Sequence, residues 1–478
     1  MPRSVPLVPV ALLLALSLVA CGGGGGGDGG DGGDDVRGRA GAPGVGDPYF
    51  PGAGNGGYDV RHYGLTLDYT PRTHRLAGSA RIDARATHDL GAFNLDLKGM
   101  KVESVEVAGR PARFQRKGQE LTVRPRDGIR EGAAFTTVVR YSGAPVTITD
   151  PDGSEEGWLR TEDGALALGE PVGSMAWFPG NHHPSDKATY DITVTVPEGL
   201  KAVSNGELRS ETTKRGRTRF AWHVGRPMAP YVATVAVGRF ETRRSKTPDG
   251  LPVYVAVDPE EAAASKAVLA RIPQVMKWAE RSFGPYPFSS TGAVVDREED
   301  AGYALETQTR PVFPGAPSLG LLVHELAHQW YGDSVTPESW RDMWLNEGFA
   351  TYAEWLWQEE HGGYSAQQIF ELIHAGDWFD SRAESDAVWA FPPGRPPSPG
   401  QISDPPVYEG GAMVLHKIRQ KVGDGRFRSL LKGWAAAHRY GNADTADFTA
   451  YVEKLAPDED FSEIWRDWLY GKGRPDSP

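Results

Sequence analysis

From residue 58 to about residue 257 the apolar positions recur every second residue. Tyr63, Leu65, Leu67 and Tyr69 alternate with polar neighbours, and so do Phe93, Leu95 and Leu97. Tyr190, Ile192, Val194 and Val196 repeat the pattern, followed by Phe220, Trp222 and Val224. Successive side chains on a strand point to opposite faces, so this period predicts many short strands with one face buried. Turn sequences such as Pro71-Arg72-Thr73-His74 and Asn205-Gly206 separate them. The expected product is an antiparallel sandwich or saddle-shaped β domain. The period then changes to that of a helix. Asp258 and Pro259 read as a helix N-cap and first-turn proline, and Gly284 as its end. Between them Val268, Leu269, Ile272, Val275, Met276, Ala279 and Phe283 form one apolar stripe. Strand-like stretches follow at 292–296 and 304–313, and the rest reads as helix, interrupted by a proline-rich loop at 391–407. The predicted fold class is therefore α+β and multidomain. An N-terminal antiparallel β domain at 58–244 is followed by a mainly helical domain at 245–478, with no internal repeat.

The first 57 residues carry neither period. Arg3 precedes an apolar run at 10–18 that is too short to span a bilayer, so residues 1–20 read as a signal peptide. Residues 21–57 are rich in glycine with interspersed aspartate, a composition expected to form a flexible tether. Leu18-Val19-Ala20-Cys21 resembles the lipobox of bacterial lipoproteins. That resemblance implies cleavage before Cys21, a diacylglycerol on its sulfur, and a protein held at the extracellular face of the bacterial cell membrane. The alternative is an ordinary signal peptide with an incidental cysteine.

A chain of 478 residues is too long for one core and suggests two domains. Its formal net charge of -12 excludes nucleic acid as a partner, since nothing in it would neutralise a row of phosphates. Cys21 is the one cysteine, so no internal disulfide forms. No protein partner is evident.

The chemistry is concentrated between residues 318 and 350. His324-Glu325-Leu326-Ala327-His328 places two imidazoles four positions apart, on one face of a helix, where both reach one metal ion. A histidine pair at that spacing alone is also found as surface decoration or in a core. Glu347, in Trp344-Leu345-Asn346-Glu347-Gly348, adds a carboxylate with eighteen residues between it and His328, enough for a turn and a second helix. Two imidazoles and one carboxylate leave the fourth position of a tetrahedral Zn2+ open, whereas structural zinc sites are closed and cysteine-rich. The expected cofactor is one Zn2+ per chain, with Glu325 beside it as general base. Asp342 is either an orienting partner for a ligand imidazole or a surface residue at a helix start.

The run from His324 to Tyr352, HELAHQWYGDSVTPESWRDMWLNEGFATY, resembles the zinc segment of the aminopeptidase N-like gluzincins, a family that includes a leukotriene-hydrolase branch. The resemblance extends over roughly residues 58–475 and implies a β saddle followed by a thermolysin-like zinc peptidase domain. It further implies that Tyr303-Ala304-Leu305-Glu306-Thr307 corresponds to the family's Gly-x-Met-Glu-Asn edge strand. Glu306 would then bind the substrate's α-ammonium, although its neighbours differ from the family's; otherwise it is a solvated edge glutamate. Trp177-Phe178-Pro179-Gly180 and Pro184-Ser185-Asp186-Lys187 resemble another family loop, and the family's interval counted back from Pro184 gives Glu170 as the second amine carboxylate. Its alternative is a turn residue before Pro171. His182 and His183 stand where the family has Asp-Glu, as loop residues or as extra ligands. Tyr408, in Pro406-Val407-Tyr408-Glu409-Gly410-Gly411, matches a tyrosine that donates to the oxyanion, or else packs.

The family's function would be zinc-dependent aminopeptidase activity on peptides with a free N-terminus. Three rivals remain: an endopeptidase of the same zinc class, epoxide hydrolysis, and a non-catalytic surface binding protein that kept the fold. Larger relatives carry a helical C-terminal domain over the active site. Here residues 461–475 resemble the end of the catalytic domain, which implies a more open cleft.

Overall fold

The alternation at 58–70 becomes one long strand, Tyr58–Thr70, whose buried positions change phase at a register shift between Val60 and His62. A bulge adds one residue to one strand, so the core side switches from Tyr58 and Val60 to Tyr63, Leu65, Leu67 and Tyr69. In the computed structural model, which describes residues 38–476, this strand lies inside an eight-stranded sheet. Its neighbours are Arg75–Ala86, antiparallel, and Ala188–Pro197, which pairs in parallel rather than antiparallel. The parallel pair sets Tyr63 opposite Tyr190, and their rings stack at 4.8 Å between centroids. A five-stranded and a four-stranded sheet complete the β-rich domain.

The predicted division at residue 244 falls inside a strand. Glu241–Lys246 pairs with Pro252–Val257, which continues in parallel to Thr291–Asp296 and Val312–Pro314, so residue 244 stands within a four-stranded sheet that runs on to Pro314. The helix expected from Asp258 to Gly284 is two helices, Ala262–Leu269 and Ile272–Phe283. Pro273 lacks the N–H that would continue the first helix, which therefore stops; Gly284 closes the second at φ 98°. The stretch 304–313 is only partly strand. Leu305 and Val312 form a single antiparallel bridge, and Glu306 lies in the bend between them, not on an edge strand. Leu319–Ala327, Trp344–Glu360, Gly411–Ala437 and Thr445–Leu455 supply the helical layer. Among the described residues no helix is long and apolar enough to cross a membrane.

The expected signal peptide, Cys21 and the first part of the expected tether lie outside the described residues. Residues 38–57, however, are not a tether. Arg39–Ala40 pairs with the strand Leu90–Asp96, and Asn94 donates to Gly41 O at 3.1 Å. Asp96 accepts from Gly54 N at 3.0 Å and Asn55 Nδ2 at 3.1 Å. This segment covers the second face of Leu90–Asp96, so Asn94 and Asp96 are buried along with Phe93 and Leu95. Asp47 is 5% exposed and accepts from Tyr49 N, Phe50 N, Ser339 Oγ and Trp340 N, at 2.8, 2.9, 3.0 and 2.9 Å. Burial raises its carboxyl, but His183 and these donors outweigh it and hold it far below the usual range. A chain starting at Tyr58 is therefore expected to lose about 3–5 kcal/mol relative to one starting at Val36, the cost of uncovering buried polar partners. Urea denaturation of the two proteins measures it, and equal midpoints would count against this role.

Candidate active site

Ser318 caps the first helix, its hydroxyl accepting from Leu321 N at 3.1 Å, and the helix then carries His324 and Glu325 inward and ends at His328. Glu347 stands in the first turn of Trp344–Glu360. All three predicted ligands are buried, and their ligand atoms lie within 4.8 Å of one another. His324 Nδ1 lies 2.9 Å from Glu354 Oε1, and His328 Nδ1 lies 2.9 Å from Tyr331 O. Each ring thus donates its Nδ1–H to an acceptor, which leaves the Nε2 lone pairs facing inward. Those two nitrogens stand 3.2 and 3.4 Å from Glu347 Oε2. Three electron-rich atoms converge in a buried site, a donor set that fits one tetrahedral Zn2+.

The electrostatics agree. Burial pushes His324 down, but Glu347 and Glu354 outweigh it and carry its imidazole well above the ordinary value. His328, likewise opposed by burial, reaches about 9 through Glu347 and Glu306. Burial would raise Glu347, yet His328 and His324 hold it at about 2. The cluster is built to hold positive charge.

Glu325 is close by without joining the ligand set, and its Oε2 is buried with no hydrogen-bond partner in the protein. Burial, reinforced by Glu306 and Glu347, raises its carboxyl to about 8. Glu306, Glu325 and His328 also have ligand atoms within 4.8 Å of one another. A cavity of about 960 Å3 is lined by all seven predicted residues: Glu170, Glu306, His324, Glu325, His328, Glu347 and Tyr408. Glu306 is buried, its Oε1 has no partner, and burial raises its carboxyl despite His328. Glu170, on the β-rich side, is pushed well above the usual range by burial and by Glu306. Asp150, Asp152, Glu155, Glu298, Glu299 and Asp300 also line the cavity, against Arg160 alone among arginines and lysines.

Tyr408 lies in a π-type turn, Pro406–Gly410, that leads into Gly411–Ala437, and its ring stacks on His324 at 6.0 Å and 15°. Close backbone approach brings it there. A Cβ on Gly348 would sit 2.8 Å from Gly411 C, so both positions need glycine for the two segments to touch beside Glu347. Burial, then Glu347 and Glu170, raise the phenol well above its ordinary value, and it stays protonated.

One expectation changes, and one alternative falls. Asp342 orients no ligand: its Oδ1 accepts from Thr445 N at 3.1 Å and Thr445 Oγ1 at 2.6 Å, docking the helix Thr445–Leu455. The orienting carboxylate for His324 is Glu354, seven residues after Glu347 and so on the same helix face, a signal present in the sequence. His182 and His183 are loop residues and not ligands. His182 Nε2 meets Phe178 O at 2.9 Å, and His183 meets Ser185 Oγ at 2.7 Å and Asp47 Oδ2 at 3.3 Å.

Residues 60–232 match the Peptidase M1 N-terminal domain, and residues 317–468 match the Peptidase family M1 domain. The chain belongs to the M1 peptidase family. It is 26% identical over 460 residues to glutamyl aminopeptidase of Bos taurus, covering 87% of this chain and 46% of that protein. It is also 26% identical over 447 residues to leucyl aminopeptidase of Saccharolobus solfataricus, covering 87% and 54%. The chain thus spans about half the length of the curated relatives it matches. A solved mutant M1 zinc metallopeptidase from Deinococcus radiodurans, bound to a Tyr-Ser-Ala substrate, superposes with a TM-score of 0.83 at 28% identity. That match covers 91% of this chain and 99% of that one. In this M1 peptidase His324, His328 and Glu347 are a group that could hold the metal ion.

Proposed function

We propose that this protein is a zinc aminopeptidase that hydrolyses the first peptide bond of peptides with a free N-terminus. The observation that carries the reading is the pair Glu170 and Glu306, two carboxylates lining the same cavity as the metal cluster. An endopeptidase has no use for two further carboxylates beyond its metal ligand and its base, whereas an aminopeptidase needs them to hold an ammonium. The acidic cavity wall supports a cationic end group, as does the peptide-bound M1 relative.

Held by His324, His328 and Glu347, zinc supplies a Lewis acid that polarises a carbonyl and lowers the pKa of water toward ~7. Glu306 and Glu170 hold the α-ammonium and so fix the register at one residue from the N-terminus. Glu325 takes the proton of the attacking water and returns it to the leaving nitrogen. Tyr408 donates its phenol O–H to the oxyanion of the substrate. Glu306→Gln is expected to lower kcat/KM for alanyl-coumarin on the order of 10²-fold while any turnover of the N-acetylated substrate is unchanged. An unaltered preference for the free amine would sink the assignment.

The same reading places the enzyme on the extracellular face of the bacterial membrane, anchored through a diacylglycerol on Cys21. Support comes from the lipobox-like Leu18-Val19-Ala20-Cys21 and the glycine-rich residues after it. Cys21→Ser is expected to move the protein from the membrane fraction to the soluble fraction; membrane retention would argue against the anchor.

A further inference from the structure

The site is assembled from two domains. Glu170 comes from the β-rich domain, while the ligands, Glu325, Glu306 and Tyr408 all come from the helical one. Gln308 N donates to Val232 O at 3.1 Å, Asn205 Nδ2 to Gln308 O at 2.9 Å and Tyr303 Oη to Glu170 O at 3.4 Å across the two, and the loop 181–187 is a further joint between them. Pro184 O accepts from Asn442 Nδ2 at 2.8 Å and from Thr336 Oγ1 at 3.2 Å. Lys187 Nζ, half-buried, donates to Asp333 O, Ser334 O and Gly441 O at 2.9, 3.0 and 3.2 Å. Asp333 and Ser334 belong to the turn directly after His328.

The other end of the loop meets the helical domain through the N-terminal segment. His183 is 3% exposed, and its Nε2 lies 3.3 Å from Asp47 Oδ2. The same oxygen accepts from Ser339 Oγ at 3.0 Å and Trp340 N at 2.9 Å. Trp340 packs edge-on against Phe50 at 5.9 Å and against Tyr231 at 5.2 Å. Tyr231 donates to Gly332 O at 2.7 Å and accepts from Asn346 Nδ2 at 3.3 Å, next to Glu347. One buried carboxylate oxygen therefore ties the β-rich loop to the segment leading into the Glu347 helix.

We propose that Asp47 is a positioning residue that, through His183 and Trp340, holds the two domains in the register at which Glu170 and Glu306 share one ammonium. The inference rests on the aminopeptidase reading above. It separates from a merely structural role because the chemical groups lie within one domain, and only the amine grip spans the joint. Loosening the joint should raise KM for free-amine substrates and leave the proton transfer alone.

The test compares the full protein with Asp47→Ala, Asp47→Asn and His183→Gln, on alanyl-coumarin and its N-acetyl form, with zinc content measured for each. Asp47→Asn keeps one oxygen for Tyr49 and Phe50 but turns an amide N–H toward Trp340 N–H and Ser339, so it reports if the alanine variant fails to fold. The expected result is a KM for alanyl-coumarin raised on the order of tenfold. Zinc stays at wild-type content, and kcat changes by less than about threefold. Asp47→Asn with His183→Gln should raise KM no further than the larger single substitution, because both break one contact. Folded variants with wild-type KM and amine selectivity, or a fall in kcat with KM unmoved, would overturn the proposal. Absence of alanyl-coumarin turnover in the wild type would instead overturn the aminopeptidase reading itself.

Discussion

Glu325→Gln is expected to retain zinc and peptide binding while kcat falls roughly 10²–10⁴-fold, the usual worth of a positioned acid–base group. The substitution preserves shape and one carbonyl oxygen but removes the ability to accept a proton. Among the described residues nothing satisfies Glu325 Oε2, so the change breaks no structural hydrogen bond of that atom there. Glu306 and Glu170 are untouched, and KM should hold. Metal analysis with steady-state kinetics checks it; a zinc-replete variant with near wild-type kcat would remove Glu325 from the proposed mechanism.

Tyr408→Phe is expected to lower kcat about 10²–10³-fold with little change in KM, because its phenol contributes only once negative charge develops on the carbonyl oxygen. The loss is specific to one hydroxyl, since the phenyl ring can keep its stack on His324. A loss confined to KM would mean that the tyrosine binds the ground state instead. Its depth in the cavity and its strongly raised pKa predict no decline of activity from its ionisation anywhere near neutral pH.

What the sequence disclosed follows from how local each signal is. Leu65, Leu67 and Tyr69 alternate because a strand has a period of two, and they are buried as that period requires. His324 and His328 share a helix face, and Glu347 sits one short connection away on the next helix; spacing alone was enough to group them. Glu306, Glu170 and Tyr408 were found by resemblance and share the cavity, although no periodicity points to them. Residues 38–57 were misread because glycine and aspartate carry no periodic signal, and their partners are remote. Asp47 meets His183 across 136 residues and Ser339 across 292. Asp342 was weighed as an orienting residue because it lies near Glu347 in sequence, yet its partner is Thr445. The orienting residue, Glu354, is legible as the next turn pair along the ligand helix.

On the proposed function a single metal ion and a free amine meet in one cavity. That meeting is tested most directly by turnover of alanyl-coumarin and N-acetylalanyl-coumarin by protein stripped with a chelator and then titrated with Zn2+. The account predicts that free-amine turnover returns and saturates at one equivalent of zinc per chain, with the acetylated substrate essentially inert. Equal cleavage of both substrates, or no turnover at full zinc occupancy, would contradict it.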